Sequence, residues 1–92
     1  MTYRNNIQIM GDLLNVASDH GVNGVQITTL LRKGNISHSR FKSFIKNMTS
    51  SGLINKIEFD GHNTFVITDK GSIYLEKYKQ FQSLTESFGL EI

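Results

Sequence analysis

The spacing of apolar residues changes character at Gly52, and that change constrains the fold more than any other feature of the chain. Up to Ser51 the apolar residues recur every third or fourth position, the repeat of an amphipathic helix. From Leu53 to Phe59 and from Thr64 to Thr68 they fall in short runs rich in β-branched and aromatic side chains. Asp60-Gly61-His62-Asn63 separates the two runs and reads as the turn of a β-hairpin. After Thr68 the helical repeat returns and continues to about Phe88. The order is therefore helices, one hairpin, and a final helix, an α+β and mostly helical chain.

The first helix is expected after Asn5 and Asn6, either of which can cap it, with Ile7, Met10, Leu13, Leu14 and Ala17 inward and His20-Gly21 at its end. Gly21 to Gly24 reads as a loop. A second helix over Gln26 to Lys33 turns Ile27, Leu30 and Leu31 inward, and Gly34 closes it. Ser37 caps a third helix to about Ser51, whose buried face is Phe41, Phe44, Ile45 and Met48. Gly52 stands where a helix ends in the left-handed region, with Leu53 folding back onto Met48. Thr68 caps the last helix, Asp69 favours its dipole, and Gly89 ends it with Leu90 against Leu84.

Ninety-two residues make one domain. Two short helices joined by a tight turn and followed by a hairpin are the order of a winged helix-turn-helix. Residues 1–68 are expected to form that unit, with 69–92 as a continuous C-terminal helix for dimerisation. The absence of cysteine excludes disulfides, thiolate metal sites and a cysteine nucleophile. No apolar run reaches the length of a membrane span, and no signal-peptide pattern opens the chain. The expected location is the cytoplasm, in association with the nucleoid.

A net charge of +2 says little, but its distribution says more. No acidic residue lies between Asp19 and Glu58, an interval that holds Arg32, Lys33, Arg40, Lys42, Lys46 and Lys56. A local basic field of this kind attracts a polyanion. Burying the apolar stripe of the third helix points Ser39, Lys42, Ser43, Lys46 and Asn47 outward, with Arg40 on the flank and Ser37 and His38 at the entry. Such a face suits the major groove of double-stranded DNA. Lys56 and His62, with Asn63, are candidate contacts from the hairpin. Arg32 and Lys33 serve the dipole of the second helix as well as they would a phosphate.

The final helix carries Tyr74, Tyr78, Phe81, Thr85 and Phe88 at spacings of four and three, flanked by Ile73, Leu75 and Leu84. Ile73, Tyr74 and Leu75 are expected to complete the core of one chain. Phe81, Leu84 and Phe88 lie further out, so Tyr74, Tyr78, Phe81, Leu84, Thr85 and Phe88 are expected to form the interface of a homodimer.

The run Gly34-Asn35-Ile36-Ser37, then Ser51-Gly52-Leu53-Ile54, resembles the archaeal winged-helix family described as ArnR-like. Phe65-Val66-Ile67-Thr68-Asp69-Lys70-Gly71 and Tyr74-Leu75-Glu76-Lys77-Tyr78 are similar to its hairpin exit and last helix. The resemblance extends to small archaeal chromatin and regulator proteins that dimerise through a C-terminal antiparallel coiled coil. It implies a dimeric binder of duplex DNA, and the mild charge here favours a site-specific regulator. The alternative is a winged helix that recognises an acidic protein.

Chemistry is not expected. His20, His38 and His62 are far apart, with no carboxylate at a spacing that would complete a metal site, and no cofactor motif is present. The serines lack an adjacent histidine–acid arrangement, so an enzyme is not expected either.

Overall fold

The computed structural model describes residues 5–89. Helix α1 spans Asn6–His20, and Asn5 is its cap. The Asn5 side chain accepts from the Gln8 amide at 2.8 Å while the Gln8 side chain accepts from the Asn5 amide at 2.9 Å, a reciprocal box that satisfies two end donors. At the other end His20 Nδ1 lies 2.9 Å from the Val16 carbonyl, and Gly21 leaves the helix at φ 65°. The buried face is Ile9, Leu13, Leu14 and Ala17, with Met10 and Val16 packed beside it. Ile7, expected inward, is exposed: the stripe is centred on Ile9 and Leu13.

After a short 3-10 turn over Gly21–Asn23 comes a strand that the apolar pattern does not reveal, β1 over Val25–Gln26. Two residues are too few to show a period. β1 is fixed by pairing: Val25 faces Phe65, Gln26 faces Thr64, and the Thr64 hydroxyl donates to the Asn23 carbonyl at 2.8 Å. Helix α2 follows over Ile27–Gly34. Leu30 is buried, whereas Ile27, expected inward, stands at the surface in the first turn. Gly34 is still helical, and its missing side chain admits Leu13 of α1. The left-handed residue is Asn35, at φ 51° and ψ 49°, whose amide donates to the Leu31 carbonyl at 3.1 Å.

Helix α3 spans His38–Ser50 behind Ser37, whose hydroxyl accepts from the Arg40 amide at 3.3 Å. Phe41, Phe44 and Met48 are buried and Ile45 is packed at the edge. Gly52 sits at φ 78°, and the Leu53 amide donates back to the Met48 carbonyl at 2.9 Å, the expected fold-back.

The hairpin pairs β2, Ile54–Phe59, with β3, His62–Ile67. Its loop is Asp60-Gly61 alone, at φ 54° and 77°, the two left-handed positions of a type I′ turn. His62 and Asn63, expected in the turn, are therefore the first residues of β3, facing Phe59 and Glu58. The sheet order is β1-β3-β2, all antiparallel.

Helix α4 covers Asp69–Ser87, about 28 Å at the usual rise. The Thr68 hydroxyl accepts from the Gly71 amide at 2.9 Å and directs its proton between the carbonyls of Gly52, at 2.5 Å, and Leu53, at 3.0 Å. The start of α4 is thus tied to the exit of α3. Leu75 and Tyr78 enter the core, and the Tyr78 ring lies over Gly11 of α1. Tyr78 and Thr85, each expected between two copies, are 8% exposed within one chain and offer little surface to another. Ile73, expected in the core, is exposed. These reversals have one cause: α4 is rotated so that Gly71, Leu75, Tyr78 and Thr85, rather than the middle of the aromatic seam, face inward. The expected contact of Leu90 with Leu84 lies outside the described residues.

Two glycines test this packing. A methyl group on Gly71 would fall on the Leu53 carbonyl oxygen, which is backbone, whereas one on Gly11 would meet the Tyr78 ring at 2.5 Å, which can tilt. Gly71→Ala is expected to cost about 3 kcal/mol or more and Gly11→Ala about 1–2 kcal/mol, against a helix-propensity gain of up to about 1 kcal/mol in each. Urea denaturation of the three proteins checks the order.

Candidate nucleic-acid interface

Because Phe41, Phe44 and Met48 are fixed in the core, the remaining face of α3 is fixed as well. Ser37, His38, Ser39, Arg40, Lys42, Ser43, Lys46 and Asn47 are all exposed, and for Ser39, Lys42, Ser43, Lys46 and Asn47 this is the orientation the helical repeat predicts. They do not form one surface. Ser39, Lys42 and Lys46, at i, i+3 and i+7, make one stripe, and Arg40, Ser43 and Asn47, with the same spacing, make another about a quarter turn away. No acidic residue lies on β1, α2 or α3 to oppose either stripe.

The second stripe faces α1. Arg40, Ser43, Phe44 and Asn47 line a cleft of about 200 Å³ whose opposite wall is Asn6, in the first turn of α1. The Arg40 guanidinium carbon stands 5.8 Å from the centre of the Phe44 ring, one helical turn away. A guanidinium held over an aromatic face gains a modest attraction and keeps its donors free at its rim. Asn6 could not be found from the sequence, which places it 34 positions before Arg40. The Arg40–Phe44 contact is legible there as an i, i+4 pair.

The hairpin divides its candidate residues. Lys56 is paired with Phe65 and His62 with Phe59, and these pairs alternate, so Lys56 and His62 project from opposite faces. His62 and Asn63 share a shallow groove of about 260 Å³ with Gln26, Ile27 and Thr28 at the start of α2. Lys56 is exposed on the other side. Among the described residues no three metal-ligating side chains converge, and no helix is long and apolar enough to cross a membrane.

No curated protein matches the chain. Several solved structures share its fold. Sso10a-2, a DNA-binding protein from Sulfolobus solfataricus, superposes with a TM-score of 0.75 at 19% identity, over 92% of this chain and 85% of that one. A mutant of S. aureus MepR bound to an oligodeoxyribonucleotide gives 0.71 at 13% identity, over 87% and 60%. The multiple antibiotic-resistance repressor MarR from Listeria monocytogenes gives 0.68 at 16% identity, over 88% and 57%. At these identities the likeness is one of fold. Residues 3–86 match the family described as Winged helix-turn-helix, and the chain belongs to that family.

Proposed function

We propose that the chain is a homodimeric regulator that binds double-stranded DNA by laying α3 in the major groove, and that it has no catalytic activity of its own. The observation that carries this reading is the exposed Ser39–Lys42–Lys46 stripe, on a helix that, like β1 and α2 before it in the chain, carries no acidic residue. Hydroxyl and ammonium groups there can reach base edges and phosphates with no carboxylate to repel the polyanion. Support comes from the relatives in fold: one is described as a DNA-binding protein and another is bound to an oligodeoxyribonucleotide. The resemblance to archaeal ArnR-like regulators fits the same function, carried out in a cytoplasm where the nucleoid is accessible.

The dimer is supported by the outer face of α4. Phe81 is 49% exposed, Leu84 54% and Phe88 73%, and with Ile73 they follow one side of the helix. Ile7 of α1 extends this face, sharing a shallow apolar hollow with Tyr74, Lys77, Tyr78 and Phe81. Each such side chain covered by a second copy contributes roughly 1.5–3 kcal/mol. The interface is thus displaced outward from the expected seam, onto Ile73, Phe81, Leu84 and Phe88 with the flank of Tyr74.

Titrating labelled duplex over a salt series tests the DNA reading. With roughly four to eight phosphate contacts per dimer, the log–log slope is expected near −0.9 per contact, and absence of duplex binding at low salt would overturn it. Lys46→Ala should weaken binding and flatten the slope while leaving stability within about 0.5 kcal/mol. For the dimer, Phe81→Glu should give a folded monomer with much weaker duplex binding. Sedimentation showing the parent to be a monomer would end that part of the proposal.

A further inference from the structure

We infer that the cleft between the first turn of α1 and α3 is a seat for a phosphate group, held by Arg40, Ser43 and Asn47 from one side and Asn6 from the other. The inference rests on the duplex reading for the identity of its main ligand, a backbone phosphate flanking the groove that α3 enters.

Arg40 offers a fork of N–H donors, Asn6 and Asn47 offer amide N–H groups, and Ser43 offers a hydroxyl. Among the described residues the lining contains no carboxylate, and its one apolar member is Phe44, over whose ring the Arg40 guanidinium stands. Among its described residues the cleft joins a guanidinium to amide and hydroxyl donors with no carboxylate, a set that suits an oxyanion. The cation–π contact with Phe44 also limits the conformations Arg40 must surrender on binding, and its planar fork matches two oxygens of a phosphate. The absence of an acid in the first turn of α1 leaves the positive end of that helix uncompensated beside the cleft.

The division of labour along α3 follows. Ser39, Lys42 and Lys46 form the stripe that reads the groove. Arg40, Ser43 and Asn47 are turned a quarter of the helix away and grip the backbone beside it. Arg40 is therefore a positioning contact, and its loss weakens all sequences alike. The helix α1, which carries none of the residues assigned to DNA from the sequence, becomes part of the interface through Asn6.

Asn6→Asp separates binding from folding. An acid in the first turn suits the dipole of α1, so melting temperature should be unchanged or higher, yet the new carboxylate faces the phosphate. Duplex affinity is expected to fall about ten-fold or more, as it should for Arg40→Gln, the loss appropriate to one charge-assisted contact. Gln8→Glu adds the same charge to the same turn outside the lining and, making no contact in the cleft, should cost clearly less than Asn6→Asp does.

Duplexes carrying single methylphosphonate linkages locate the contact. One neutralised position should weaken the parent but not Asn6→Asp, while other positions remain sensitive in both. If Asn6→Asp binds duplex like the parent while Lys46→Ala does not, the DNA reading stands and the phosphate seat is refuted. If the parent binds no duplex, inorganic phosphate decides. Saturable shifts of the Asn6 and Asn47 side-chain amide resonances, lost in Asn6→Asp, would identify a free phosphate as the ligand. No shifts would overturn the site.

Discussion

The junction at Thr68 holds together the two halves on which the rest of the molecule depends. One hydroxyl accepts from the first turn of α4 and donates toward the Gly52 and Leu53 carbonyls, in the turn between α3 and β2. Its geometry requires α4 to start against the Leu53 carbonyl, and only a residue without a side chain fits at Gly71. Once α4 is anchored there its rotation is set, and Leu75 and Tyr78 must meet α1. That meeting is close because Gly11 exposes backbone to the Tyr78 ring. The exit of α3, the hairpin and the last helix thus share one fixed point, and the orientation of the polar face of α3 is fixed with them.

This explains which parts of the fold are legible in the sequence. Helices α1 and α3, the hairpin and α4 are each announced by a local period with a cap, and Thr68, Ser37 and Gly52 occupy the positions that their residue types favour. The inward side of α4 is not announced, because an aromatic seam looks the same whether its own core or another chain covers it. Spacing places Tyr78 in the outward seam, but Gly11, 67 positions earlier, makes the room that draws it inward. Ile7 and Ile73, which the helical repeat places inward, are exposed, because the buried stripes of α1 and α4 centre on Ile9 and Leu13 and on Leu75 and Tyr78. β1 is invisible locally, since its two residues owe their conformation entirely to β3.

The candidate interface shows the same boundary between local and distant information. That Lys42, Lys46 and Ser39 face outward follows from Phe41, Phe44 and Met48 facing in, and no more than the helical repeat is needed. That Arg40, Ser43 and Asn47 form a separate wall depends on where α1 lies, which is decided by the core around Leu13 and Leu14. The hairpin is intermediate. Its turn chemistry is local, but placing His62 within β3 requires that the loop close in two residues, and the Asp60-Gly61 conformation accomplishes this.

The tight turn also determines the symmetry of the hairpin's charge. With Phe59 facing His62, strict alternation sends Lys56 and His62 to opposite sides of a ribbon one backbone thick. A longer loop that slipped the pairing by one residue would exchange the faces of one strand relative to the other. The two-residue closure therefore gives the ribbon two unlike surfaces, with Lys56 and Glu58 on one and the His62 imidazole on the other. A partner packed on one face of the ribbon meets only one of them, so the hairpin can distinguish the side from which it is approached.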